Sequence, residues 1–284
     1  MYTASFGDVA EKLRRSTVQV VSGSRHKAGV GSGVISIPNG TVITNAHVVG
    51  ASSVRVELSD GRSFPAEVAS RDVRADLAKL KVDAAGLPAL SWRPSASVKP
   101  GELVIAVGNP LGFLGALSTG VVHAMGPVVG MGQRSWIQAA IRLAPGNSGG
   151  PLADAEGRVI GINTAVVSSG VALAIPSDRV LDFLKRGARP ALGISVRPVA
   201  IHGQGRVGLL VLEVASNSLA ENASLLIGDL LVAVNGQTFR STDDLSDAMD
   251  QSSNSVLKVR FLRGDRRSER EVSIPLAEAR REAA

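Results

Sequence analysis

From Thr17 to about residue 176 the hydrophobic positions come in short β-branched or alternating runs, and few repeat at helical spacing. The runs are Val18–Val21, Gly33–Ile37, Thr41–Thr44, Ser53–Leu58, Leu77–Val82, Leu103–Val107, Thr119–Val122, Trp136–Gln138 and Val159–Ile162. Turn residues such as Pro38-Asn39-Gly40 and Ser59-Asp60-Gly61 separate them. Short strands so closely spaced predict an all-β barrel or sandwich and disfavour a parallel α/β sheet. Helical spacing is confined to the flanks. Residues 7–15 place Val9 and Leu13 on one face, with Asp8 at the end where a helix favours an acid. Asp178 to Lys185 carries Val180, Leu181, Phe183 and Leu184 on an apolar side, and Arg186 to Pro190 reads as its stop and a linker.

After the linker the strand pattern resumes at Leu192–Val196, Val207–Val214, Asp229–Val234, Val256–Phe261 and Glu271–Ile274. Ser241-Thr242-Asp243-Asp244-Leu245 starts a helix, with a capping hydroxyl and acids in its first turn. The expected organisation is an N-terminal segment over 1–16, a first domain over 17–185, a linker over 186–190, a second domain over 191–276 and a charged tail over 277–284 that frays. With 284 residues and 44% hydrophobic content the chain suffices for two cores.

Cysteine is absent, which excludes disulfides, thiolate catalysis and Cys-ligated metal. A net charge of +6 permits nucleic-acid binding, but the basic residues are scattered and two Trp, one Tyr and six Phe offer little stacking surface, so no nucleic-acid partner is expected. No apolar stretch approaches the ~20 residues that cross a bilayer, and no export signal or membrane anchor is seen, so the chain as it stands is expected to be soluble. Removal of a leader leaves no trace.

The stretch with chemistry in it is Ala144-Pro145-Gly146-Asn147-Ser148-Gly149-Gly150-Pro151-Leu152. Its glycines leave Ser148 standing clear of neighbouring Cβ atoms, although a plain glycine-rich turn has the same composition. A serine hydroxyl needs a base, a group that orients the base, and donors for an oxyanion. Of the four histidines, His26 lies in a Ser-Arg-His-Lys turn, His123 beside a strand end and His202 in a glycine-rich loop, all places for solvated histidines. His47, at the end of the apolar strand Thr44-Asn45-Ala46-His47-Val48, reads equally as a base or as a core histidine. Asp76 opens the strand Leu77–Val82 and is either the orienting carboxylate or a turn cap, the role that suits Asp60 and Asp72 better. His, Asp, Ser in that order, each at a strand end, is the order of the chymotrypsin-type triad.

With these pieces in place the sequence resembles the HtrA/Deg family of trypsin-like serine proteases with an attached PDZ domain. The resemblance rests on Gly31-Ser32-Gly33-Val34-Ile35, Thr44-Asn45-Ala46-His47-Val48, Ala75-Asp76-Leu77-Ala78, Gly108-Asn109-Pro110, Pro145 to Leu152 and Ala174-Ile175-Pro176. In the second domain it rests on Leu192-Gly193-Ile194-Ser195 and on Gly228 to Gly236. It implies a chymotrypsin-like double β-barrel followed by a PDZ domain, and a serine endopeptidase acting on unfolded or misfolded polypeptides in protein quality control. In this reading Ser148 is the nucleophile, His47 the general base and Asp76 its orienting acid, while the N–H groups of Gly146 and Ser148 form the oxyanion hole. Ile162-Asn163-Thr164-Ala165 would pair with an extended substrate, and Leu192, Gly193, Ile194 and Ser195 would hold a C-terminal peptide.

Ser5-Phe6 to Leu13 resembles the family's trimerisation element, which implies a homotrimer; Tyr2 and Phe6 pack either on their own domain or on another subunit. Neither cofactor nor metal is called for. The resemblance implies periplasm or cell envelope if a leader has been removed, and cytoplasm otherwise. Two departures stand out. Ala139-Ala140 replaces a Thr-Asp pair, and Ala172 replaces a glycine near the specificity pocket, where its methyl should make the pocket shallower. The alternative function is a peptide-binding chaperone or adaptor whose protease fold is dormant.

Overall fold

The computed structural model describes residues 5–23, 29–50, 53–110, 113–129, 131, 134–168, 170–186, 191–201, 206–252, 256–264 and 268–276. Tyr2, His26, His202, linker residues 187–190 and the 277–284 tail lie outside them. Six antiparallel strands come first: β1 (Thr17–Ser22), β2 (Gly29–Ile37), β3 (Thr41–Thr44), β4 (Val54–Glu57), β5 (Ser63–Asp72) and β6 (Leu77–Val82). They pair in the order β1-β2-β3-β6-β5-β4, and pairing of β1 with β4, Val20 opposite Val56, closes a barrel. Closure removes the free edges that short apolar strands would otherwise expose.

A second barrel repeats the arrangement with β7 (Leu103–Gly108), β8 (Ala116–Gly126), β9 (Trp136–Ala140), β10 (Pro151–Asp154), β11 (Val159–Ser168) and β12 (Val171–Pro176). Its order is β10-β11-β12-β9-β8-β7, closed where Leu152 stands opposite Ala106. The strands read as nearly continuous apolar runs because both faces are used. Ile35, Val42 and Leu80 fill the first barrel, while Val34, Ile43 and Leu77 turn outward into a cluster shared with Ile105, Val107, Ile162 and Leu173 of the second. That seam joins the barrels.

The N-terminal helix α1 (Phe6–Ser16) begins with a reciprocal cap: Ser5 Oγ accepts from Asp8 N at 3.2 Å and the Asp8 carboxylate accepts from Ser5 N at 2.8 Å. Val9 and Leu13, four residues apart on one face, enter the seam cluster, whereas Phe6 remains 54% exposed. The helix α2 (Ser177–Arg186) adds Val180 and Phe183 to the same cluster.

The chain divides near residue 188. In the second unit β13 (Ile194–Ile201), β14 (Arg206–Val214), β15 (Leu230–Val234), β17 (Val256–Leu262) and β18 (Glu269–Pro275) form a sheet in that order, with β16 (Gln237–Thr238) beside β15. A short helix α3 (Leu219–Asn222) follows β14, and α4 (Thr242–Gln251) contributes Leu245, Ala248 and Met249 to a core with Leu209, Leu231, Phe239 and Val259. No helix among the described residues is long and apolar enough to cross a membrane.

Because Leu13 is wholly buried in the seam, Leu13→Ala is expected to destabilise the first unit by about 2–5 kcal/mol. Urea unfolding of the two chains, followed by tryptophan fluorescence from Trp92 and Trp136, measures it.

Candidate active site

The turn between β5 and β6 places Asp76. Asp72 Oδ1 accepts from Ala75 N at 2.8 Å, the turn-capping role expected for it. Asp76 itself sits in the left-handed region at φ 54°, which aspartate tolerates better than most residues, and its carbonyl accepts from Asn45 Nδ2 at 2.9 Å. Asn45 and His47 follow directly from β3. The imidazole Nδ1 lies 2.9 Å from both Asp76 Oδ1 and Oδ2, and His47 N donates to Oδ1 at 3.1 Å. From the other barrel Thr164 Oγ1 donates to Asp76 Oδ2 at 2.6 Å.

These bonds set the protonation states. Burial pushes the Asp76 carboxyl up, but the bonds from His47 and Thr164 outweigh it and leave the group below the usual aspartate range. The same bond to Asp76, opposed by partial burial, holds the His47 imidazole above its ordinary pKa of 6.5. Its side chain is 52% exposed, so solvent screens the pair.

Ser148 is carried on a loop clamped from both barrels. Ser32 of β2 donates through Oγ to Gly146 O at 2.6 Å and through N to Ser148 O at 2.8 Å, while its own Oγ accepts from Asn109 N at 2.8 Å. Thr44 Oγ1 in turn holds Ser32 O at 2.6 Å. Gly149, at φ 88°, passes so close that a Cβ there would lie 2.0 Å from Ser32 O, so no other residue fits. On the far side Gly149 N donates to Asn163 O and Asn163 N to Gly150 O, both at 2.9 Å. The Ser148 hydroxyl donates to Thr164 O at 3.0 Å, and among the described residues it makes no hydrogen bond to His47. The N–H groups of Gly146 and Ser148 meet no protein acceptor among those residues. Thr164 is thus the common neighbour, with its hydroxyl on Asp76 and its carbonyl under Ser148.

Beside Ser148 opens a cavity of about 360 Å³ lined by Leu143, Ala144, Pro145 and Asn147 on one side and Thr164, Ala165 and Val166 on the other. Among the described residues no charged side chain lines it. Three of the expected substrate contacts do not line this cavity. Ala172 is 2% exposed and packs in the second barrel's core, in the cluster on which Leu143 rests, so its methyl is not in the cavity wall. Ile162 is buried in the seam and pairs with Pro151 of β10. Asn163 has its main chain bonded to Gly149 and Gly150 and its amide to Pro151 O at 2.9 Å. Strand β11 reaches the cavity only from Thr164 onward, and Val166 joins it unforeseen. His123 stands exposed on β8, away from these residues. Ser32 was visible only as the centre of a Gly-Ser-Gly strand opening, and nothing in the pattern marked Thr164 as the partner of Asp76.

Residues 31–162 match the family model for a trypsin-like peptidase domain, and residues 210–263 match that for a PDZ domain. The chain is 35% identical over 274 residues to the putative serine protease HhoA of Synechocystis sp., an alignment covering 86% of this chain and 70% of that protein. It belongs to the HtrA/Deg family. Further relatives of this HtrA/Deg chain are the probable periplasmic serine endoprotease DegP-like of Chlamydia pneumoniae, 36% identical over 252 residues (81% of this chain, 52% of that protein), and serine protease HTRA1 of Xenopus tropicalis, 34% identical over 253 residues (78% and 55%). The chain therefore spans 52% to 70% of the length of these curated relatives. Among solved structures, the HtrA-type protease AlgW with decapeptide superposes with a TM-score of 0.67 at 26% identity, covering 96% of this chain and 98% of that one. The serine endoprotease from Yersinia pestis gives 0.67 at 26% identity, with 97% and 98% covered.

The second unit of this HtrA/Deg chain is accordingly a PDZ domain. Leu192 is buried in its core; Gly193 stands at φ 75°, where a Cβ would lie 2.3 Å from Ser218 Cβ. The carbonyls of Leu192 and Gly193 accept from Ala220 N at 2.9 Å and Ala215 N at 2.7 Å, which fixes the loop ahead of β13. Ile194 and Ser195 open that strand.

Since the bond to Asp76 is what raises His47, Asp76→Asn is expected to bring the imidazole pKa down to or below the ordinary value. An NMR titration of the His47 ring nitrogens in both chains reads this directly.

Proposed function

We propose that this chain is a serine endopeptidase acting on unfolded or misfolded polypeptides. The observation that carries it is the shared carboxylate: Asp76 bonded to His47 Nδ1 and to Thr164, whose carbonyl lies under Ser148 Oγ. Asp76 fixes the imidazole with its proton on Nδ1, leaving Nε2 free as a base. Ser148 Oγ leaves Thr164 O, passes its proton to Nε2 and bonds to the scissile carbonyl carbon. The negative oxygen so formed is held by the N–H groups of Gly146 and Ser148, and Nε2 returns the proton to the departing amine. Water then repeats the sequence on the acyl-enzyme.

Unfolded substrate is favoured because an extended chain can lie along the β11 edge beyond Thr164 by main-chain pairing. C-terminal peptides are proposed to dock at Leu192, Gly193, Ile194 and Ser195. A homotrimer through the N-terminal segment is supported by exposed Phe6 on an otherwise docked helix. The word periplasmic in the name of the Chlamydia relative supports a place in the cell envelope.

A second reading, a peptide-holding protein with a resting protease fold, is favoured by one observation, the Ser148 hydroxyl bonded to Thr164 O and, among the described residues, not to His47. Ser148→Ala separates the two: loss of all cleavage of unfolded casein, with the fold retained, is expected of a protease. Casein left intact by the unaltered chain would instead favour holding.

Activity is expected to rise with pH through an apparent pKa above 6.5, since the general base must be neutral and Asp76 favours its charged form. The sign for stability is opposite: the raised pKa makes the pair's contribution fully present below the unfolded pKa and lost as pH climbs through the folded one. Initial rates and urea midpoints across pH 5 to about 9 test both.

With no carboxylate in its wall, the cavity is expected to take an aliphatic residue such as Val or Ala before the scissile bond and to refuse Lys and Arg, because an unpaired buried ammonium costs on the order of several kcal/mol. Since Ala172 does not line the cavity, it gives no ground for excluding aromatics. Mass-spectrometric mapping of cuts in a denatured protein decides, and predominant cleavage after Lys or Arg would contradict the reading.

A further inference from the structure

At one end of the second barrel, Ile141 and Arg142 continue the chain beyond β9. Gly120 of β8 lets this segment lie close on that strand, since a Cβ there would stand 2.1 Å from Ala140 O and 3.0 Å from Ile141 Cβ. Ile141 N donates at 3.1 Å to the carbonyl of Gly170, between β11 and β12, and the Ile141 side chain is buried in the barrel core. With residue 141 anchored inward, Arg142 comes out on the surface. It lines an open concavity of about 470 Å³ whose other walls are Ser118 and Thr119 of β8, Ala140, Ile141 and Gly170. This concavity shares no lining residue with the cavity beside Ser148, which begins one position further on at Leu143.

Arg142 differs from the other arginines whose side chains are described in this unit. Arg14, Arg15, Arg55, Arg62, Arg93 and Arg158 each pair with a carboxylate. Arg71 donates to Ala46 O and Arg134 to Arg74 O, while Arg74 and Arg179 are also engaged. Among the described residues Arg142 meets neither a carboxylate nor a carbonyl, no acid lines its concavity, and the hydroxyls of Ser118 and Thr119 are unbonded.

A guanidinium offers two parallel N–H donors at the spacing of the two oxygens of a carboxylate. A phosphate dianion would ask for a second cation, and no other basic residue lines the walls. An apolar ligand would strip water from the charge and give nothing in return. We propose that this concavity binds a carboxylate, with Arg142 taking its two oxygens and Ser118 and Thr119 supplying hydroxyls from the wall. The volume lies within the range of small-molecule sites and admits one small acid or one acidic side chain of a polypeptide. Because the recess is open, solvent screens the pair, and the affinity is of about millimolar order. A site of this kind serves a cleaving and a holding protein alike.

The test uses the full chain isotopically labelled in arginine and in its main-chain amides. The Nε–H resonance of Arg142, assigned by its loss in Arg142→Gln, is followed at constant ionic strength. The two probes are acetate, a free acid, and the α-amide of N-acetylglutamic acid, which carries the carboxylate as a protein side chain does. Chloride and the α-amide of N-acetylglutamine are the controls. At least one probe is expected to shift Arg142 saturably with a dissociation constant of about 1–10 mM, and neither control to do so. The amides of Ser118, Thr119 and Gly170 report the same titration in the variants, where Arg142→Gln should weaken binding at least about tenfold. Ala140→Asp, at an exposed position, should shift the Arg142 resonance without any ligand and abolish binding, because the new carboxylate occupies the fork from within the chain.

Tighter binding of the glutamic acid amide by about fivefold or more assigns the site to polypeptide side chains, whereas equal or tighter binding of acetate assigns it to a free acid. Shifts matched by chloride, shifts that stay linear to about 100 mM, or an affinity retained in Arg142→Gln would each overturn the site.

Discussion

The candidate site depends on the apolar seam between the barrels. His47 and Asp76 come from the first barrel, Ser148 and Thr164 from the second, and Leu13, Val34, Ile43, Leu77, Ile105, Val107, Ile162 and Leu173 hold the two together. Burial of each such aliphatic side chain contributes about 1.5–3 kcal/mol, so the seam is far stronger than any single polar bond crossing it. The polar bonds across it supply what burial cannot, which is direction. Thr164 Oγ1 on Asp76 and Ser32 Oγ on Gly146 O fix the facing loops at 2.6 Å each. Because reacting groups misplaced by about 1 Å lose much of their effectiveness, these two hydroxyls set the register in which the seam must close.

Much of this was legible in the order of strands and in the short motifs. Strands facing apolar surroundings on both sides announce themselves, as β3 and β7 do, because nothing polar interrupts them. Strand β5 gave no such sign: Ser63 to Ser70 is mostly exposed and carries Pro65, so its alternation of Phe64, Ala66 and Val68 is too weak to stand out. His47, Asp76 and Ser148 could be picked out because a strand-ending histidine, a strand-opening aspartate and glycine crowding each leave a local mark. Their neighbours were not. Thr164 and Ser32 act through contacts with residues more than 80 positions away, which no local pattern encodes. That Ile162, Asn163 and Ala172 lie off the cavity was not legible for a related reason, since which face of a barrel strand meets a cavity depends on how the barrel closes.

The two protein units use the same backbone device in different ways. Gly149 at φ 88° lets the nucleophile loop lie against Ser32 O, and Gly193 at φ 75° lets the loop before β13 lie against Ser218. In both, a residue without Cβ brings main chain close to main chain or side chain, which leaves amide groups free to face a peptide. Among the described residues, β11 beyond Thr164 pairs only with β12, and β13 pairs only with β14.

The clamp of Ser32 on the Ser148 loop has a consequence for the life of the chain before it is folded. The first barrel carries His47 and Asp76 but not Ser148, and the loop that bears Ser148 is bonded both to Ser32 of β2 and to Asn163 of β11. A half-made molecule is an unfolded polypeptide, the very material proposed as substrate. Splitting the candidate site across the seam means that His47, Asp76 and Ser148 come together only once both barrels are built.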